Sequence, residues 1–179
     1  MTTPANPTYH DLWRLPKLKR HVLAAVEDGY NVRVEKLGPR GDAGRAHFDG
    51  KVSLNNWHIL VHYPEFTEDR LIVVLYHEIG HIDHFRSLNL GLALGDPVVP
   101  EPYVDQTESE LFAFQKSLQE CAKIADDGDA GPLHFAVHFI RKRQASGEED
   151  QVYQLALNRI VESIIWATML ERPDIDQAD

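Results

Sequence analysis

The chain has 179 residues, with 28 acidic against 18 basic side chains and a formal net charge of -10 with histidines neutral. This length fits one domain with a real hydrophobic core, and 43% hydrophobic with 26% charged residues excludes wholesale disorder. The acidic balance argues against a sequence-independent grip on nucleic acid, which needs clustered Lys and Arg.

Ten histidines are the unusual count, and composition alone assigns them neither to the surface nor to a metal. One cysteine, Cys121, excludes an internal disulfide framework and any cysteine-rich zinc module. The first seven residues, Met-Thr-Thr-Pro-Ala-Asn-Pro, carry neither a basic n-region nor an apolar h-region. The longest apolar run, Leu71 to Tyr76, is too short for a bilayer. A cytoplasmic protein with no membrane or nucleic-acid partner is therefore expected.

Along the chain, residues 1–14 are spotted with proline. Pro16 opens an amphipathic helix with the stripe Leu18, Val22, Leu23 and Val26, which Gly29 ends. Imperfect alternation over 31–37, the Asp49-Gly50 turn signal and the run Trp57 to His62 predict a small antiparallel sheet across 31–62. Thr67 with Glu68 and Asp69 marks a helix start, continuing from Leu71 to about Leu88. The run Leu71-Ile72-Val73-Val74-Leu75 also fits a buried strand, but the cap and the polar continuation favour the helix. Residues 89–104 read as a long loop. Asp105 or Thr107 caps a helix from about Glu108 to Ala125, and two further helices are expected over about 133–144 and 150–170, before a polar tail. The predicted fold class is α+β: one domain over 1–179, with a small antiparallel sheet on a helical core over about 15–125 and additional helices over 132–171.

The chemistry lies in His77-Glu78-Ile79-Gly80-His81, an HExxH pentapeptide inside a predicted helix. Residues four apart share one helical face, so His77 and His81 can bind one Zn²⁺ together. Glu78 stands beside the first ligand, where its carboxylate can take a proton from water on the metal. A third ligand must come from elsewhere. The metzincin continuation needs Gly at 84 and His at 87, and this chain has His84 and Ser87. The segment around Glu108 and Glu110 offers carboxylates instead. Counting three, four, six and ten residues on from Glu108 gives Leu111, Phe112, Phe114 and Leu118; the same count from Glu110 gives Ala113, Phe114, Lys116 and Glu120. The more apolar set favours Glu108 as ligand, with Glu110 the alternative.

With these residues the sequence resembles the glutamate-zincin (gluzincin) metallopeptidases, in particular the small cytoplasmic ImmA/IrrE-like group. The likeness spans roughly residues 15–125 in organisation and rests on His77, Glu78, His81 and Glu108, the last 27 residues after His81. Where that group carries Ala and then Asn or Asp on the ligand helix, this chain has Leu111 and Phe112, so an expected polar partner for a histidine is missing there. The resemblance implies hydrolysis of a peptide bond in a narrow protein or peptide substrate. Zinc would polarise the carbonyl and acidify its bound water, and Glu78 would act as general base and pass the proton to the leaving amine. A strand edge from the sheet could pair with an extended substrate. Tyr103, His134 and His138 are the candidates for an oxyanion donor.

The other histidines carry less. His134 and His138 stand four apart, but no acid lies between them, and partly buried or surface histidines are the expectation. Asp83 reads as a solvated helix residue or an outer partner of the zinc site. His47, His58 and His62 fall on strands. Two competing functions are a non-catalytic zinc-stabilised partner-binding domain, closed by His84 or a carboxylate, and a deformylase-like amide hydrolase, which would need a cysteine ligand that Cys121 is badly placed to supply.

Overall fold

The computed structural model describes residues 12, 14–30, 32–35, 44–47, 58–62, 67–88, 105–147 and 150–175. These residues are predominantly helical, which overturns the expected α+β class built on an antiparallel sheet. Six helices carry the chain: α1 (Pro16–Glu27), α2 (Glu68–Leu88), α3 (Gln106–Asp126), α4 (Gly131–Ser146), α5 (Gln151–Val161) and α6 (Ile164–Leu170). Three short strands, β1 (Val32–Glu35), β2 (Gly44–His47) and β3 (His58–His62), accompany them in the order β1-β3-β2. Only β2 runs antiparallel to β3; β1 pairs with it in parallel, Val32 opposite Ile59 through Glu35 opposite His62. β3 enters between β1 and β2, a choice that alternation of apolar residues does not encode. The Asp49-Gly50 turn and the 89–104 loop lie outside the described residues.

Helix α2 is the axis of the molecule. Leu71, Ile72, Leu75, Ile79, Ile82 and Phe85 pack with Leu18, Val22 and Ala25 of α1 and with Val32 and Val34 of β1. Val73, on its other side, joins a second core formed by α3 to α6, with Leu118, Leu133, Ile140, Leu157, Ile160 and Trp166. A helix buried on both sides has no reason to be amphipathic, which is why its apolar start also looks like a strand. Its cap is as expected: Thr67 Oγ1 accepts from Arg70 N at 3.3 Å. The first-turn acids do further work. Glu68 accepts from Leu18 N at 3.0 Å at the start of α1. Lys17 reaches both Asp69 and Asp129, tying α1, α2 and the α3–α4 turn together.

The expected helix over 150–170 is two helices. Ser163 starts α6 by accepting from Trp166 N at 3.2 Å, and the Ser hydroxyl caps where a continuous helix would leave it outside. The start of the polar tail, residues 172–175, is docked: Arg172 pairs with Asp126 and Asp174, and Ile175 is buried.

The two longest helices, α2 and α3, meet at Gly80. A Cβ there would lie 2.6 Å from Ala113 Cα and 3.0 Å from Lys116 Cβ. Gly80→Ala sets two effects against each other. Alanine gains about 1 kcal/mol of helix propensity over glycine, but overpacking against backbone costs about 1–3 kcal/mol or more, because Ala113 Cα has no rotamer to yield. The variant should be less stable than wild type in urea denaturation; equal or greater stability would show that the helices do not touch there.

Candidate metal centre

The contact at Gly80 puts one face of α2 against the first turns of α3. His77 and His81, one turn apart, point their Nε2 atoms at each other across 3.2 Å. Glu110 closes the group, with Oε2 3.3 Å from His77 Nε2 and Oε1 3.6 Å from His81 Nε2. His77, His81 and Glu110 are the one group of three potential metal-binding side chains among the described residues.

Glu108 is not part of it. Its side chain is 46% exposed and pairs with Arg159 of α5, whereas the Glu110 side chain is 24% exposed. The choice of Glu108 is therefore corrected to Glu110. The reason is the helical period. Turning about 100° per residue, a helix returns to within about 60° of one face after three, four, seven and eleven residues, while six and ten fall about 120° and 80° away. From Glu110 the in-phase positions are Ala113, Phe114, Ser117 and Cys121, all buried. From Glu108 they are Leu111, Phe112, Gln115 and Gln119, of which Leu111 alone is buried. A second signal was also readable. The Glu-x-x-Ala spacing sought after Glu108 is met by Glu110 and Ala113, and Ala113 is the residue against which Gly80 packs.

The donor set fits a tetrahedral cation. Zinc ligands at about 2.0–2.1 Å from the ion lie about 3.3–3.4 Å from one another, close to the observed separations. Glu110 Oε2 is buried, and its one polar neighbour is His77 Nε2 at 3.3 Å, so a cation between them would satisfy it. The outer edge of His81 is occupied: its Nδ1 lies 2.8 Å from Ser109 Oγ. Phe114 packs edge-on against His77, with ring centroids 5.0 Å apart, and Tyr153 of α5 packs behind Phe114 at 5.2 Å. Glu78 is 8% exposed on α2, and its charge acts on His77.

Charge in this buried group is strongly coupled. Burial opposes the protonation of His77, but Glu110 beside it outweighs burial and raises the group above its ordinary 6.5. Burial likewise pushes the Glu110 carboxyl up, and the adjacent His77 brings it net below its ordinary value. His81 is lowered to about 4, first by burial and then by His77. Without metal, one proton on His77 balances Glu110 and a second on His81 is disfavoured.

The remaining candidates stand apart from this cluster. His84 stacks on Phe112 with centroids 5.3 Å apart and supplies no fourth ligand. Asp83 accepts from Tyr30 at 2.6 Å and pairs with Lys116 at 3.2 Å, so it braces α2 against α3 and serves neither His77 nor His81. His134 donates to the Asp174 carbonyl, and His138 is exposed on α4. Tyr103 lies outside the described residues. Comparison with protein-family models, with curated proteins and with solved structures finds no match to this chain.

Two outcomes follow from this geometry. Glu110→Gln should weaken zinc binding by roughly 100-fold or more while Glu108→Gln changes it by less than about threefold, read by competition with a chromophoric chelator. The reverse order would restore Glu108 as ligand. The second concerns acid. The unfolded chain protonates His81 near 6.5, whereas the folded chain resists until about 4. Stability from this group is present above about 6.5 and is lost as pH falls toward 4, by on the order of 1–3 kcal/mol. His77 has the opposite sign, its contribution fading as pH rises through its raised value. Urea melts of the metal-free protein should show the acid loss, and His81→Gln should reduce it; an unchanged acid slope in that variant would contradict the assignment.

Proposed function

We propose that the chain is a zinc-dependent metallopeptidase of the glutamate-zincin type, hydrolysing a peptide bond in a narrow protein or peptide substrate. The observation that carries this reading is the convergence of His77, His81 and Glu110 at mutual distances of 3.2–3.6 Å, with Glu78 buried one residue from the first ligand. Zinc bound there would supply Lewis acidity to the scissile carbonyl and lower the pKa of a water. Two neutral imidazoles and one carboxylate leave a dication with a net positive charge, which favours the oxyanion that forms during attack.

Glu78 is the residue for proton transfer. Its carboxylate would take the proton of the attacking water and return it to the leaving amine, a role worth roughly 10²–10⁴-fold in rate. Three donors, with no fourth among the described residues, support a reaction centre over a purely structural site, because structural zinc is closed by four protein ligands. The resemblance of the HExxH segment to the ImmA/IrrE-like group supports the same activity. No helix among the described residues is long and apolar enough to cross a membrane. The proposal includes a cytoplasmic location, with which the single, free, buried cysteine is compatible.

The test compares zinc-loaded wild type with Glu78→Gln in a cell lysate, by labelling and sequencing newly formed α-amino termini. Wild type should generate discrete new termini. The variant, retaining zinc, should generate about 100-fold fewer or none. Equal cleavage by both proteins, or no new terminus with wild type, defeats the proposal.

A further inference from the structure

We propose that Ser109 is the positioning residue that sets zinc affinity at this centre: its hydroxyl oxygen accepts the Nδ1–H of His81 and leaves Nε2 as the metal-facing lone pair. The inference rests on the zinc reading above and extends it to a residue outside both the HExxH motif and the carboxylate ligand.

A neutral imidazole carries its proton on one nitrogen and a lone pair on the other, so only one tautomer of His81 can serve a metal at Nε2. With the proton on Nε2, the N–H would point into the space between His77 Nε2, 3.2 Å away, and Glu110 Oε1, 3.6 Å away. It would occupy the position the cation needs. The carboxylate of Glu110 favours that unproductive tautomer, because it can accept from an Nε2–H. An opposing acceptor on the other edge of the ring is therefore required. Ser109 Oγ, 2.8 Å from Nδ1, is that acceptor.

The arrangement has a simple origin in the chain. Ser109 and Glu110 are consecutive residues in the first turns of α3, and they approach opposite edges of one ring of α2. The same turn thus offers a ligand at one nitrogen and an orienting oxygen at the other. This two-sided hold requires α2 and α3 to be close, which the contact of Gly80 with Ala113 provides. Asp105 keeps the turn in place, its side chain accepting from Thr107 N and Glu108 N at 2.9 and 3.2 Å. The polar partner that the resemblance leads one to expect after the Glu ligand is absent, since Phe114 follows Ala113; Ser109 supplies the function from the residue before the ligand instead. Partners of this kind fix ring orientation and raise ligand basicity, so their loss lowers metal affinity without removing a ligand.

The test measures zinc affinity of the full chain by chelator competition in Ser109→Thr and Ser109→Val. The two variants share size and branching and differ in one hydroxyl, so a packing disturbance is common to both. The Val variant should bind zinc roughly 10- to 100-fold more weakly than the Thr variant, with Thr within about threefold of wild type. In the cobalt-loaded proteins, the visible absorption bands should shift for Val and stay in place for Thr, a signature of altered ligand orientation. Should the Val variant not fold, Ser109→Ala against Ser109→Thr reads the same difference. Equal zinc affinity with and without the hydroxyl overturns the role of Ser109. His81→Ala separates that failure from the other: wild type binding zinc no more tightly than His81→Ala overturns the zinc reading itself.

Discussion

At Gly80 the α2 and α3 helices come so close that a methyl group would lie 2.6 Å from Ala113 Cα. That missing side chain governs what the rest of the molecule can do. Packed helices ordinarily keep their axes about 8–10 Å apart, the spacing being set by the side chains at the crossing. With Gly80 on one helix and Ala113 on the other, the crossing is thin. Short side chains then suffice to bridge it. A serine hydroxyl and a glutamate carboxylate from α3 reach both edges of a histidine ring on α2. With larger residues at the crossing, the same donors would sit too far apart to share an ion.

Closeness has an electrostatic consequence. Two imidazoles and a carboxylate are pressed together where little water remains, and each group's protonation depends on the others. Glu110 stabilises one positive charge, on His77, and the lowered His81 shows that a second proton is poorly tolerated. The cluster is thus already arranged around positive charge. A divalent ion would replace that single proton and neutralise the buried Glu110 carboxylate more fully, so the desolvation that makes the metal-free group strained is the same feature that favours a cation.

How much of this was legible in the sequence depends on whether the signal was local. The HExxH spacing needs only the helical period, and Thr67 with its following acids marks the start of α2 correctly because a cap is a contact between near neighbours. Asp105 starts α3 for the same reason. The place of Glu110 in the cluster was also legible, since Ala113, Phe114, Ser117 and Cys121 continue its face in phase, and only a count at the wrong offsets favours Glu108. The pairing of β1 with β3 in parallel was not legible, because alternation says which residues share a face and nothing about which strand is the neighbour. Ser109 was beyond reach as well: a serine near a helix start reads as ordinary until the ring of His81 is placed beside it.

The helices after residue 130 are better seen as part of the site's support than as an addition to it. α5 runs antiparallel to α3, so that Tyr153 lies level with Phe114 and Arg159 with Glu108. Phe114 is held between Tyr153 and His77, which carries the packing of α5 through to the first histidine of the cluster. Between these two contacts lies Glu110, and at its level α5 contributes the fully buried Leu157. The Glu108–Arg159 pair is exposed, and by itself worth little. Its position matters more than its energy, because it engages the carboxylate that sequence favours as the ligand and turns it toward α5. Glu108 and Glu110 thus have separate partners on opposite sides of α3, and the helix has one rotational setting that satisfies both. Fixing that rotation is what places Ser109 and Glu110 on either edge of His81.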